Sequence, residues 1–276
     1  MNSSKRYDIV VYGATVAGIV YALNKKGEGK NVLLINRYGF PGGSITSALN
    51  CLQRLKEPEQ EGFYEQFISS LKNYKGGILY SDESRVLLNP EAVKTVLLEL
   101  LVASGIDMLF HVSPLNSLSR GEDLLELDLI GKDGIIKVIA SSIVDFSENF
   151  LFSFIYGNFL PRENSTKINL FTTMPLDDGF LKYEGISNYV KLNDGRYWVS
   201  LKSLENLSEK EARSFTPVLH SSGARIQLLP SEVYTWFEFD HERQTSHGPV
   251  KTIEEMLLKN FLSDEQLLKA FEIEKY

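Results

Sequence analysis

Gly13, Thr15 and Gly18 follow the apolar run at residues 7–12, "YDIVVY", in the order Gly-x-Thr-x-x-Gly. A turn of this kind joins a buried strand to a helix whose N-terminus can hold a phosphate. The first glycine permits the tight bend, the second lets the backbone approach the anion, and the third lets helix and strand pack closely. Gly13 and Gly18 fill the first and third roles, with the small residue Ala17 beside Gly18. Thr15 stands in the second, where its Cβ crowds a phosphate and its hydroxyl can bond one. Taken alone, the turn fits a nucleotide site or a purely structural strand–helix connection.

Few other residues offer chemistry by type and spacing. His241 and His247 in "FDHERQTSHGP", with Asp240 and Glu242, match no metal-ligand pattern and read as a solvated loop. His111 falls in a strand-like run, which predicts a core histidine rather than a base. Tyr197 and Trp198 in "RYWVSL" predict core or substrate-wall packing. Cys51 is the one cysteine, so no intrachain disulfide forms; it reads as a small buried hydrophobe in a reducing compartment. No Ser-His-Asp or Cys-His set has usable local context, and no catalytic residue is identified.

The elements that must position the turn are well marked. Residues 7–12 predict a buried parallel strand, residues 17–23 a helix closed by Lys25, Lys26 and Gly27, and "NVLLIN" at 31–36 a second buried strand. Together they have the length of one βαβ unit. A loop with Gly39, Pro41, Gly42 and Gly43 follows. Phe63, Tyr64, Phe67, Ile68 and Leu71 form a helical stripe. In "NPEAVKTVLLELLVASG", Asn89 predicts an N-cap, Pro90 the first helical position and Gly105 the stop. From 115 to 147 the pattern alternates, with a hairpin turn at Lys132-Asp133-Gly134 and a separate last buried strand in "SIVDFS". The second half predicts strands in "KINLFTTM", "GRYWVSL" and "ARIQLL", then two closing helices behind capping boxes that start at Thr252 and Ser263.

The chain has 276 residues, with 29 Lys plus Arg against 36 Asp plus Glu and a net charge of −7. That balance gives no footprint for nucleic acid or an anionic membrane. No stretch approaches the roughly twenty apolar residues of a membrane-spanning helix, and the polar N-terminal lead has no signal-like core. The expectation is a cytoplasmic protein. The apolar run at 150–160, "FLFSFIYGNFL", predicts buried or interface structure and hence possible self-association into a homo-oligomer.

The segments "YDIVVYGATVAGIVYAL", "VLLINRYGFPGG", "NPEAVKTVLLELLVASGIDMLFHV" and "SIVDFS", in this order, resemble the FAD-dependent oxidoreductase family of glutathione-reductase-like flavoproteins. The resemblance covers residues 6 to about 157. It implies an α/β protein, with a Rossmann-like FAD-binding domain at 1–160 and a smaller β-rich substrate or interaction domain at 161–276. It further implies FAD as cofactor, with its ADP half at Gly13, Thr15, Ala17 and Gly18, its ribose near Asn36 and Arg37, its flavin near Gly42 and Gly43, and Ser147 at the last strand's end.

Three departures accompany the resemblance. Asn36 stands where the family has a carboxylate for the ribose hydroxyls. Glu148 stands where the family has a glycine, placing a negative charge beside a pyrophosphate. No second glycine-rich FAD signature marks a C-terminal segment that returns to the first domain, so no flavin cover is expected. Two functional readings follow. One is hydride transfer from a small organic substrate to flavin. The other is a non-catalytic relative that keeps the fold as a binding module, with FAD weak or absent.

Overall fold

A computed structural model describes residues 5–54, 63–119, 124–147, 163–173, 186–201, 204–205, 225–228, 234–238 and 250–252. Strand β1 (Lys5–Tyr12) leads through the glycine turn into helix α1 (Val16–Gly27) and strand β2 (Val32–Asn36). β1 and β2 pair in parallel, with Ile9 opposite Val32 and Tyr12 opposite Ile35. α1 runs four residues past its apolar stretch, and Lys25 and Lys26 in its last turn suit the helix dipole.

The chain then makes a four-residue helix α2 (Ser44–Ser47), strand β3 (Leu52–Arg54), helix α3 (Phe63–Asn73) and strands β4 (Ile78–Ser81) and β5 (Arg85–Leu88). β3, β5 and β4 form a small antiparallel sheet. α3 buries Phe67, Ile68 and Leu71, which are members of its apolar stripe. Helix α4 (Pro90–Ser104) has the ends its sequence predicts. The Asn89 side chain accepts from Glu91 N–H, Pro90 opens the helix, and Gly105 ends it at φ 65°. Strand β6 (Asp107–Phe110) then pairs in parallel with β2.

Strands β7 (Ser113–Ser119), β8 (Leu125–Gly131) and β9 (Gly134–Asp145) form the expected meander, with its turn at Lys132-Asp133-Gly134. One difference stands out. The meander's last strand and the final buried strand are a single twelve-residue β9. Its first half pairs antiparallel with β8 up to Ala140, while residues 138–145 pair in parallel with β1. Ser141 and Ser142 mark the handover between neighbours on one edge, and this is the break in apolar pattern that reads as two strands.

The second half is β-rich. It contributes β10 (Glu163–Lys167), β11 (Asn169–Thr173), β12 (Ile186–Lys191), β13 (Arg196–Leu201), β14 (Leu204–Glu205), β15 (Arg225–Leu228), β16 (Tyr234–Glu238) and β17 (Val250–Thr252). β12, β13, β11 and β15 form a four-stranded sheet, and β14, β10 and β16 a three-stranded one. The expectation that no segment returns to the first domain is corrected here. β17 pairs in parallel with β9, Val250 opposite Ile143 and Thr252 opposite Asp145. It fills the edge that β8 leaves at Ala140, where β9 otherwise exposes unpaired backbone groups.

The main sheet runs β6-β2-β1-β9-β8-β7, with β17 beside β9. Both faces are buried, as a largely parallel sheet requires. Ile9, Val11, Val32 and Leu34 face one core with α1 and α4, and Val10, Tyr12, Leu33 and Ile35 face the other. Phe171, Val190, Leu192 and Trp198 belong to the first core, so the β12-β13-β11 sheet packs directly on it. Among the described residues no helix is long and apolar enough to cross a membrane.

Candidate functional site

Strand order reverses between β1 and β9, and in open α/β sheets ligands bind outside the carboxyl ends of the strands at such a point. Three strand ends meet there. Gly13 N–H donates to Ile35 O at 2.9 Å, and Phe146 N–H donates to Tyr12 O at 2.7 Å. Gly13 sits at φ 103°, and a Cβ on it would lie 2.5 Å from Ser147 N and 2.7 Å from Phe146 O. Only glycine fits, so Gly13 serves both the bend and the seating of the β9 end. Gly18 lies in the first turn of α1, where a Cβ would overlap the carbonyl oxygen of Gly13. That is the close helix–strand packing its spacing predicts.

Thr15 caps α1. Its hydroxyl accepts from Gly18 N–H at 3.1 Å and donates its single proton to Phe146 O at 3.1 Å. The hydroxyl therefore ties the helix start to the end of β9 and has no proton left for a phosphate. Ala17 is fully buried against the sheet. Past β9, Asp145 accepts from Ser147 N–H at 2.9 Å and from the Ser147 hydroxyl at 2.6 Å, folding the chain back at the strand end.

Asn36 closes β2 and is 8% exposed. Its Oδ1 accepts from Ala14 N–H at 3.3 Å, while Nδ2 donates to Phe40 O at 2.8 Å and Tyr38 O at 3.3 Å. A carboxylate has no donors and would repel those two carbonyls, so the amide suits this loop as an acid would not. Gly42 N–H donates to Ala14 O at 2.8 Å, drawing the loop onto the glycine turn. Gly42 and Gly43 have φ 112° and 54°, and the Thr46 hydroxyl bonds Pro41 O and Gly43 O.

The loop also carries a stack that spacing alone does not reveal. Arg37 lies 4.9 Å from the centre of the Tyr38 ring, Tyr38 stacks on Phe40 at 5.3 Å, and Lys94 lies 4.3 Å from the Phe40 ring. The trace in the sequence is Arg-Tyr-x-Phe after β2, but Lys94 comes from α4. His111 is placed differently from its expectation. It is exposed just past β6 at φ 58°, its N–H reaching Tyr38 O at 3.3 Å and its ring against Gly39. The left-handed backbone ends the strand there and turns the ring out of the core.

Together these residues form an open cleft, with Gly13, Thr15, Asn36, Arg37, Gly43 and Ser147 on its walls. Six of the nine sequence-predicted positions thus meet at one place; Ala17, Gly18 and Gly42 stand behind it as packing. The main-chain turn, the N-terminal end of α1 and the nearby Arg37 suit the diphosphate and adenosine half of a dinucleotide. The side chain of Asn36 does not, because its amide is committed to the loop.

Trp198 is buried in β13 and its indole N–H donates to Leu49 O at 2.9 Å. Cys51 is buried, and burial pushes its thiol well above the ordinary range. Among the described residues no cluster of metal-ligand type occurs. Glu148, His241, His247 and the run at 150–160 lie outside the described residues.

The comparisons agree with this architecture. Similarity to solved structures is at the level of fold. The p-nitrophenol 4-monooxygenase of Pseudomonas putida is 13% identical, with 90% of this chain and 72% of that one covered at TM-score 0.61. A geranylgeranyl bacteriochlorophyll reductase-like protein of Thermoplasma acidophilum is 10% identical, with 98% and 83% covered at TM-score 0.61. Aklavinone-11 hydroxylase, solved with FAD and aklavinone, is 13% identical at TM-score 0.53; this chain is covered to 91% and spans 57% of that one. No curated protein sequence matches. The family profile described as FAD dependent oxidoreductase matches residues 8–149, just over half of the chain. The chain belongs to the FAD-dependent oxidoreductase family.

Proposed function

We propose that the protein binds FAD across the carboxyl ends of β1, β2 and β9 and passes hydride from a small organic substrate to the flavin. The observation that carries this reading is the cleft itself, whose walls come from the carboxyl ends of β1, β2 and β9, where an open α/β sheet binds its ligand. The bound flavin would supply the redox chemistry, taking a hydride from a substrate carbon. The chain's own part is to bind and orient. Gly13 keeps side-chain bulk away from the strand end, the α1 N-terminus would hold the diphosphate, and Arg37 would add positive charge beside it. The β-rich half, expected from residue 161 onward, supplies the substrate side through the sheet that packs on the first core.

A second reading, a relative that keeps the fold with FAD weak or absent, is favoured by one finding: Asn36 spends its amide on the loop and Thr15 spends its proton on Phe146. Glu148, the residue after Ser147 in the sequence, carries a negative charge. Titrating FAD by fluorescence quenching in wild type and Glu148→Gly separates the two readings. Saturable one-to-one binding in the wild type supports the enzyme. Binding that appears only in Glu148→Gly supports the relative.

A further inference from the structure

The cleft is selective in charge. Among the described residues its walls carry one cation, Arg37, and no carboxylate, in a chain whose net charge is −7. Wall hydroxyls have committed their protons: Thr15 donates to Phe146 O at 3.1 Å, Thr46 to Pro41 O at 2.9 Å and Ser147 to Asp145 Oδ1 at 2.6 Å. The hydroxyl oxygens of Tyr12 and Tyr38 are buried. Asn36 gives both N–H bonds of Nδ2 to Phe40 O and Tyr38 O. The side chain on these walls that carries donors for an anion is Arg37, with the five N–H groups of its guanidinium.

Packing sets the pose of that guanidinium. Its central carbon lies 4.9 Å from the centre of the Tyr38 ring, which is itself stacked on Phe40 at 5.3 Å and 15°. Lys94 lies 4.3 Å from the Phe40 ring, but its Nζ is 2.7 Å from Glu91 Oε1, so its charge is paired. Stacking engages the face of a guanidinium, while its N–H groups lie in the plane as a fork. That fork is the geometry that reads a phosphate through two parallel hydrogen bonds.

Arg37 also stands at an informative place. In a nucleotide-binding βαβ unit the end of the second strand meets the adenosine ribose. A carboxylate there accepts from a free 2′-hydroxyl, whereas an arginine nearby accommodates a 2′-phosphate. β2 ends at Asn36, whose Oδ1 already accepts from Ala14 N–H at 3.3 Å and carries no charge. A carboxylate at residue 36 would repel a phosphate; an amide does not. The pair at the strand end is therefore a neutral residue followed by a cation, the combination that suits a phosphorylated ribose.

We infer that the adenosine end of the cleft takes a ribose bearing a 2′-phosphate, with Arg37 as the residue that selects it. Adenine nucleotides phosphorylated at that position then bind more tightly than those with a free ribose and compete with FAD for the cleft. The inference rests on the reading above, which puts the adenosine beside Asn36 and Arg37.

Calorimetric titration of the full chain with adenosine 5′-monophosphate, adenosine 2′,5′-bisphosphate and adenosine 3′,5′-bisphosphate tests it. The first two differ by the 2′-phosphate alone, and the two bisphosphates carry the same charge. The 2′,5′-bisphosphate is expected to bind about tenfold more tightly than either of the others, the scale of a charge-assisted contact. In Arg37→Ala the ratio between the 2′,5′-bisphosphate and the monophosphate falls to about twofold or less, whatever loss the two share, and Arg37→Lys, which keeps the charge and lacks the fork, lies between. Equal affinity of the first two, tighter binding of the 3′ isomer, or an advantage that survives in Arg37→Ala overturns the inference. FAD titrated into the same sample separates the failures. FAD bound with no preference for the 2′-phosphate contradicts this inference alone, and that preference without FAD binding contradicts the cofactor reading alone. Binding of neither FAD nor any of the three contradicts both.

Discussion

The Thr15 hydroxyl bridges Gly18 N–H and Phe146 O, each at 3.1 Å, and so joins the start of α1 to the end of β9 across 131 residues of sequence. Thr15→Ala removes an N-cap and a buried hydrogen bond together. It is expected to destabilise the protein by about 1–2 kcal/mol. Thr15→Ser keeps the hydroxyl and recovers most of that loss. Chemical denaturation of the two variants checks it; equal stability of Thr15→Ala and wild type would show that the bridge contributes nothing.

Gly18→Ala places a methyl group on the carbonyl oxygen of Gly13, which is backbone and cannot turn aside. Helix and strand must separate, at a cost of about 1–3 kcal/mol. An exposed helical glycine replaced by alanine would instead gain stability, by up to about 1 kcal/mol. The sign of the change in melting temperature therefore decides between close packing and an ordinary helical position.

Asn36→Asp is a one-atom change with a large expected effect. The two carbonyls of Tyr38 and Phe40 lose their donor and face a negative oxygen in a buried place. A loss of about 1–3 kcal/mol is expected. Hydrogen exchange at the Gly42 amide should quicken as the loop leaves Ala14. If residue 36 served only the ribose, the same variant would leave the free protein's exchange untouched and tighten FAD.

Asp82 holds the turn between β4 and β5. Its carboxylate accepts from Ser84 N–H at 2.9 Å, from Arg85 N–H at 2.7 Å and from the Arg85 guanidinium at 2.8 Å. Chiefly through the Ser84 N–H, and then through Arg85, its carboxyl is held well below the usual carboxylate range. A depressed folded value means the turn gains stability above the unfolded value of about 3.9 and loses it as pH falls through the folded value. The NMR pH titration of Asp82 should therefore have its midpoint below that of a free aspartate. Asp82→Asn should remove this acid-dependent opening. A midpoint at the free value would contradict the geometry.

How much of this was legible follows from where each interaction lies in the chain. The first βαβ unit, the caps of α4 and the hairpin turn are local, and Asn89, Pro90, Gly105 and Gly134 signal them in the sequence. The long-range pairings are not local. The continuity of β9 was hidden because Ser141 and Ser142 weaken its pattern where its neighbours change. The return of β17 depends on an edge created more than a hundred residues earlier. At the site, spacing marked the Gly13 bend, the Gly18 packing and the position of Thr15, and the family resemblance marked Asn36, but neither showed what the Thr15 and Asn36 side chains bond. Their polar atoms are used by Phe40, Tyr38 and Phe146, partners that only the fold brings near. His111 was misplaced because a left-handed backbone leaves no mark in an apolar run.

The central claim is that the cleft at the ends of β1, β2 and β9 holds FAD by its ADP half. The most direct measurement is a calorimetric titration of FAD, repeated with ADP already present and repeated again on Gly13→Ala. The account predicts one FAD per chain, displaced competitively by ADP and lost in Gly13→Ala. FAD binding that ADP does not compete with, or no FAD binding to the wild-type chain, would contradict it.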